Sequence, residues 1–408
     1  MDFDYAIIGG GPAGYTAGMF LAKKGYNVVI FEKNKLGGAC LNYGCIPTKT
    51  MLHSSEIYCQ TLNAADYGFD IEIKSFDFSK VAQKRDLTVE KVRKSLELAV
   101  KNSGVEVIYA EASVIDEKTI LADGKEYSAD NIIVATGSKP RELKGLEFDG
   151  KFILSSDDVL KLDKLPKTVL IIGSGAIGIE WARIFSNFGV EVHIAEMAEH
   201  LLPMADIEVS KRIERIFKQK KIKFYLNDCV ENIDNTDVTL KSGTVISPDF
   251  ILSAAGREPV RQELKNVTYL GDASKEIQLA HYAIHQAKQF ALGIECNKAL
   301  IPAVIYGEPE VAWVGKREQD CKDDCEKVRL PISALGKAWC DDSTEGFIKL
   351  IVEDDFIVGA HIVSKEASAL IHEILIAMQN NISVNDLRKV CFAHPTYSEG
   401  VSEAIFRI

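Results

Sequence analysis

The sequence predicts an α/β chain in which one βαβ unit is used twice, followed by a separate α+β domain. Three observations carry that reading. An apolar run, Tyr5-Ala6-Ile7-Ile8, ends in Gly9-Gly10-Gly11-Pro12-Ala13-Gly14 and leads into a helical stretch reaching about Lys24. The same arrangement recurs at Val169-Leu170-Ile171-Ile172, followed by Gly173-Ser174-Gly175-Ala176-Ile177-Gly178 and a helix over 179–187. From about Ala299 the texture changes, with strands expected at 303–306, 311–314, 347–352 and 357–362 and helices at 366–380 and 397–405.

Each element has a local reason. A short apolar run that stops at glycines reads as a strand buried on both faces of a parallel sheet. Val28-Val29-Ile30-Phe31 and Val192-His193-Ile194-Ala195 are the returning strands of the two units. Both are followed by an acidic residue 23 positions after the first glycine of its turn, from Gly9 to Glu32 and from Gly173 to Glu196. Equal spacing at two sites points to two related units. Between them the sequence predicts a helix over 77–102, short strands over 105–128 and a strand at Ile132-Ile133-Val134-Ala135. A later helix is expected over 279–291.

Composition narrows the function classes. With 47% hydrophobic and 26% charged residues over 408 positions, the chain has the balance of a soluble globular protein of several domains. The net charge of −11 excludes a broad nucleic-acid surface, which needs clustered Lys and Arg, and favours a partner with a basic patch. No apolar run is long enough to span a bilayer, and the acidic start Met1-Asp2-Phe3-Asp4 is unlike a signal peptide. Nine scattered cysteines, an odd number, argue against a secreted disulfide framework and for a reducing, cytoplasmic setting.

The glycine turns define what the repeated unit binds. In Gly9-x-Gly11-x-x-Gly14 the first glycine makes the tight turn, the second lets backbone approach a pyrophosphate, and the third lets the helix pack on the strand. The helix N-terminus then offers N–H groups to phosphate oxygens. Gly173-x-Gly175-x-x-Gly178 repeats the logic. These are two Rossmann-like dinucleotide-binding domains, with Glu32 and Glu196 expected at ribose hydroxyls. Glu196 would repel a 2′-phosphate, and Met197 to Leu202 offer no Arg or Lys to bind one, so the second unit is expected to take NAD rather than NADP.

The stretch Gly37-Gly38-Ala39-Cys40-Leu41-Asn42-Tyr43-Gly44-Cys45-Ile46-Pro47-Thr48-Lys49 holds two cysteines five apart. They can meet near a helix start if its first turn is distorted, and Pro47 suits a first turn. A helix N-terminus lowers a thiol pKa and so favours a reactive thiolate. Two buried cysteines, or half of a metal site, are the other readings of the spacing. Cys321 and Cys325, the only other close pair, sit in a charged stretch and read as an incidental surface placement.

At these motifs the sequence resembles the pyridine nucleotide-disulfide oxidoreductases. The resemblance implies that the first unit binds FAD and the second NAD, and that Cys40 and Cys45 form a redox-active disulfide. Cys45 would contact the flavin as a charge-transfer thiolate, and Cys40 would attack the substrate disulfide. Lys49 matches the lysine near the flavin N5, and Glu180 its carboxylate partner. Lys33 and Ala112 match FAD-contacting positions. Ala135-Thr136-Gly137-Ser138 and Ala255-Gly256-Arg257-Glu258-Pro259 resemble the two crossover segments. Gly271-Asp272 resembles the second FAD motif, and Leu279-Ala280-His281 the helix start near the flavin pyrimidine ring.

The C-terminal motifs Val304 to Gly315 and His394-Pro395-Thr396-Tyr397-Ser398-Glu399 resemble the family's dihydrolipoamide-oxidising branch and its dimerisation domain. His394 would be the acid–base residue, delivered from a second copy in a homodimer and oriented by Glu399. Thr396-x-x-Glu399 also reads as a capping box. The implied order is an FAD domain over 1–140, an NAD domain over 141–262, a shortened second FAD segment over 263–298 and the dimerisation domain over 299–408. Thirteen residues, 258–270, stand where the family has a few dozen, Phe392 replaces a common His, and the tail after Glu399 is short. No lipoyl domain is expected ahead of Met1.

The implied activity is oxidation of dihydrolipoamide by NAD. A lipoyl-bearing protein, from a 2-oxo-acid dehydrogenase complex or the glycine cleavage system, is the expected partner. Glutathione disulfide with NADPH, mercuric ion reduction and a non-catalytic flavoprotein are the alternatives. The missing phosphate-binding Arg, the chain end Phe406-Arg407-Ile408 and the intact Cys and His/Glu residues respectively disfavour them.

Overall fold

The computed structural model describes residues 1–295, 298–321 and 325–408. Strand Phe3–Ile8 is the centre of a seven-stranded sheet. It pairs in parallel with Val28–Phe31 on one side and with Lys125–Val134 on the other. Its residues Ala6 and Ile7 are fully buried, which is why the run is apolar throughout rather than alternating. Helix Pro12–Lys23 follows the first glycine turn and packs on helix Ala280–Leu292, which comes from far later in the chain.

The second unit repeats the first. Thr168–Ile172 lies between Glu191–Glu196 and Phe250–Ser253 in a parallel five-stranded sheet. Helix Ala176–Asn187 begins at the second glycine turn, three residues earlier than the apolar pattern suggests. The turn itself supplies its first residues. The two turns make the same close approach. A Cβ on Gly14 would stand 1.9 Å from the Gly9 carbonyl oxygen, and one on Gly178 would stand 2.0 Å from that of Gly173. Only glycine lets helix and turn approach this closely.

The shortened segment keeps a strand. Thr268–Tyr269 still pairs in parallel with the end of Lys125–Val134, placing Gly271 and Asp272 beyond it. Arg261 stacks its guanidinium 3.9 Å from the Tyr269 ring centroid and donates to the Ala273 carbonyl, so a single Arg–Tyr stack braces the short connection.

The C-terminal unit is an antiparallel five-stranded sheet in the order Ala303–Ile305, Glu310–Gly315, Phe356–Ser364, Phe347–Glu353, Glu326–Pro331, with helix Ala367–Gln379 against it. Strand Glu326–Pro331 is absent from the sequence expectation. As an edge strand it buries only alternate residues, Val328 and Leu330, too short a pattern to stand out among charges. The surface placement expected for Cys321 and Cys325 is also corrected: Cys325 is buried and its thiol donates to Glu353 at 2.8 Å. Residues 322–324 between them lie outside the described residues. Among the described residues no helix is long and apolar enough to cross a membrane.

Candidate active site

One cavity of about 1950 Å³ joins the two glycine turns to the cysteine pair. The first unit contributes Gly9, Gly11, Pro12, Ala13, Glu32 and Lys33, then Gly38, Ala39, Cys40, Cys45 and Lys49, and further along Ala112, Thr136, Gly137 and Ser138. The second contributes Gly173, Gly175, Ala176, Ile177, Glu180, Glu196 and Gly256; the later segment adds Gly271, Asp272, Leu279, Ala280 and His281. Gly14 and Gly178 lie beneath the turns, as their packing role requires. His394 and Glu399 do not line this cavity.

The residues fit a bound dinucleotide at both turns. Helices Pro12–Lys23 and Ala176–Asn187 each start without a side-chain cap, which leaves their first N–H groups for a ligand. Gly38 has φ +57°, and a Cβ there would stand 2.7 Å from Gly11 Cα, so the backbone forms a narrow cradle. The acidic residues are held alike. Glu32 accepts the Gly10 and Asn34 N–H groups at 2.8 Å each, and Glu196 accepts those of Ser174 and Ala198 at 2.7 and 2.8 Å. Fixed this way, each carboxylate stands at the end of its strand facing the cavity. Ser138 donates to Asp272 at 2.5 Å, and Arg257 holds Ser138 through Oγ and the carbonyl. The sequence places Arg257 in a crossover segment without this role; its partner 119 positions away gives no local signal.

The thiols sit at a break between two helices. Gly38–Tyr43 carries Cys40, and Cys45–Leu62 begins with Cys45; Gly44 separates them with φ −145° and ψ −106°. Cys40 and Cys45 are free thiols sharing a hydrogen bond. That bond from Cys40 is the main cause that brings Cys45 down to about 7; burial opposes it, and Lys49 assists. The same bond, together with burial, pushes Cys40 far up. One sulfur is therefore poised as thiolate and the other as its proton donor.

Behind the pair, Lys49 Nζ lies 2.7 Å from Glu180 Oε2. Burial works against the Lys49 charge, but Glu180 outweighs it and holds the ammonium above its usual value. Glu180 Oε1 accepts the Tyr306 N–H at 3.1 Å, and the Lys49 ammonium lies over the Tyr306 ring. Tyr306 and the neighbouring Tyr15, whose hydroxyl is pushed up by burial and by the two thiols, are site residues that sequence reasoning missed. An aromatic residue beside a glycine carries no local sign of such a partner. His281 Nε2–H donates to the Pro302 carbonyl at 2.7 Å, tying its helix start to the C-terminal unit.

His394 is exposed, and its Nδ1 lies 2.7 Å from Glu399 Oε1. The expected capping box forms by half. Glu399 accepts the Thr396 N–H, but the Thr396 hydroxyl donates to Ala393, and the helix starts only at Glu399. The carboxylate is thereby free to orient the imidazole, leaving Nε2 outward.

A twin-dinucleotide cavity with a paired thiolate and thiol defines a redox enzyme working through sulfur. Residues 3–284 match the pyridine nucleotide-disulphide oxidoreductase family, and residues 301–405 match its dimerisation domain; the chain belongs to this family. It is 32% identical to a dihydrolipoyl dehydrogenase of Mycoplasma genitalium over 99% of this chain and 98% of that protein. A dihydrolipoamide dehydrogenase of Chaetomium thermophilum is 34% identical over 99% of this chain and 90% of its own length. Among solved structures, LpdA from Mycobacterium tuberculosis matches with a TM-score of 0.90 at 24% identity, covering 99% of both chains. RclA, an HOCl-induced flavoprotein disulfide reductase from Escherichia coli, matches at 0.87 and 24%, again over 99% of both. The protein is a flavin- and pyridine nucleotide-dependent oxidoreductase, and it carries the family's dimerisation domain, which supports a homodimer.

Proposed function

We propose that the chain oxidises dihydrolipoamide, with NAD as final acceptor and Cys40 and Cys45 as the intermediate carrier. The observation that supports this most is the division of labour between the sulfurs, with Cys45 lowered to about 7 and Cys40 raised. When bound, FAD takes two electrons from the dithiol and delivers them as hydride to the nicotinamide.

In the oxidised state Cys40 and Cys45 are a disulfide. His394 of a second copy accepts the proton of one substrate thiol at Nε2, while Glu399 holds Nδ1–H and stabilises the charge. The substrate thiolate attacks Cys40 Sγ; the Cys40–Cys45 bond breaks and Cys45 leaves as thiolate. The second substrate thiol then attacks the first substrate sulfur. Lipoamide leaves with its ring disulfide closed, and Cys40 leaves as the second thiol. Lys49, fixed by Glu180, stabilises the Cys45 thiolate. The location of His394 outside the cavity supports its delivery from the partner copy.

This reading takes 1–140 and 263–298 as the FAD domain, 141–262 as the NAD domain and 299–408 as the dimerisation domain. It takes the glycine-turn residues, Glu32 and Asp272 as FAD ligands, and Glu196 as the NAD ribose ligand. The partner is a lipoyl-bearing protein of a 2-oxo-acid dehydrogenase complex or the glycine cleavage system, and the setting is the cytoplasm. Turnover of lipoamide and glutathione disulfide is compared with NADH and with NADPH. Lipoamide with NADH is expected to give the highest kcat/KM by at least about a hundredfold; a preference for glutathione disulfide overturns the assignment.

A further inference from the structure

A second thiol pair stands apart from the redox cavity, at one end of the C-terminal sheet. Cys325 immediately precedes strand Glu326–Pro331, and Glu353 is the last residue of strand Phe347–Glu353, whose Val352 is paired with Glu326. Cys321 follows the short helical turn Glu318–Asp320. Cys325 Sγ donates to Glu353 Oε1 at 2.8 Å, and Cys321 Sγ lies 3.3 Å from the Arg317 carbonyl oxygen. The two sulfurs and the carboxylate oxygen all lie within 4.8 Å of one another. None of the three residues lines the redox cavity.

We propose that Cys321, Cys325 and Glu353 bind one divalent ion of the zinc class, with water in the fourth position. Zinc takes thiolate and carboxylate ligands tetrahedrally, at about 2.3 Å to sulfur and 2.0–2.2 Å to oxygen. Those bonds set neighbouring ligand atoms roughly 3.5–3.8 Å apart, so the Cys325–Glu353 contact, now 2.8 Å, opens around the ion while the three ligand atoms, all within 4.8 Å, need only small side-chain adjustments. Binding exchanges the two thiol protons for the metal. Two thiolates and a carboxylate then carry three negative charges against two positive ones. Lys316 Nζ, 2.5 Å from the other Glu353 oxygen, neutralises the excess and orients the carboxylate.

A disulfide is the other use of two neighbouring thiols. It would form without a third group, whereas Glu353 stands at hydrogen-bond distance from Cys325 and completes a ligand set. The ion would tie three separate segments together at the edge of the sheet. It needs no part of the redox chemistry.

The test uses the full chain carrying Cys40→Ser and Cys45→Ser, so that the redox dithiol takes no metal. Under reducing, anaerobic conditions zinc is titrated against a chromophoric chelator. One equivalent per chain is expected, weakened at least about tenfold by Cys321→Ser, by Cys325→Ser and by Glu353→Gln. Cobalt(II) at the site is expected to give thiolate-to-metal absorption that disappears in the same variants. Glu353→Gln changes a part-exposed side chain, so its effect reads the site rather than the fold. Absence of stoichiometric binding overturns the proposal. So does binding unchanged by the three substitutions, or a Cys321–Cys325 disulfide persisting under these reducing conditions.

Discussion

Lys49 and Glu180 stand 131 positions apart, yet Lys49 Nζ and Glu180 Oε2 meet at 2.7 Å just behind the thiol pair. The ion pair joins the helix carrying Cys45 to the helix that opens the second nucleotide unit. The Tyr306 N–H on the other Glu180 oxygen brings in the C-terminal unit. Three parts of the chain therefore set the charge beside one sulfur.

The two members of that pair act on Cys45 with opposite sign: Lys49 lowers its pKa and Glu180 raises it. Lys49→Met is expected to move the Cys45 thiolate transition above about 7, and Glu180→Gln to move it below. Thiolate absorbance and alkylation rate of the reduced enzyme against pH read both. Movement in the same direction would refute this electrostatic account.

Replacing either redox sulfur separates chemistry from binding. Cys45→Ser and Cys40→Ser are each expected to cut lipoamide turnover by at least about a thousandfold, because exchange needs both thiols. Flavin content should stay near wild type, since the dinucleotide cradle at Gly11 and Gly38 is untouched. Full lipoamide activity in Cys45→Ser would remove the basis of the proposed cycle.

His394→Gln removes the proposed base while keeping a polar side chain. The kcat/KM for dihydrolipoamide is expected to fall about 10²–10⁴-fold, the usual range for general-base loss. Reduction of an artificial electron acceptor by NADH should be unchanged, because that route bypasses thiol exchange. Glu399 is held below the usual carboxylate value first by the Thr396 N–H and then by His394, so it remains charged at neutral pH. Glu399→Gln should therefore give a smaller loss of rate than His394→Gln, because the imidazole stays in place and loses only its orienting carboxylate.

The parts of this molecule written in short range were legible in the sequence. Gly9 to Gly14 with Glu32, and Gly173 to Gly178 with Glu196, are fixed by steric needs of a single turn, and residue type reports those directly. The cysteine pair is local too, though the helix break at Gly44 is a backbone event that its composition does not announce. Tyr306, Arg257 and Tyr15 act through partners far along the chain, and an aromatic or an Arg beside a glycine carries no mark of its partner. Glu353 is similarly silent: nothing around it connects it with Cys325, and only strand pairing brings them together.

The twin glycines allow each nucleotide site to be disturbed alone. A methyl group on Gly14 would collide with the Gly9 carbonyl, and one on Gly178 with that of Gly173. Forcing each apart costs about 1–3 kcal/mol and displaces the turn. Gly14→Ala is expected to lower flavin content of the purified protein, while Gly178→Ala keeps flavin and raises the KM for NADH. Flavin loss in both variants to the same degree would show that the two turns do not serve separate ligands.

Choice between the two nicotinamide cofactors rests on Glu196. Its oxygens accept Ser174 and Ala198 N–H groups, so the carboxylate is fixed in place and cannot swing away from a 2′-phosphate. Its burial leaves that negative charge weakly screened. Glu196→Ser removes the charge, and Met197→Arg beside it, at a side chain 78% exposed, supplies a phosphate partner. The double substitution is expected to raise the NADPH-to-NADH ratio of kcat/KM by at least about a hundredfold, with Glu196→Ser alone giving about tenfold. Steady-state kinetics with lipoamide as acceptor measures both ratios. If the single and double variants retain the wild-type preference, discrimination lies elsewhere in the cavity and Glu196 serves only to hold its own turn.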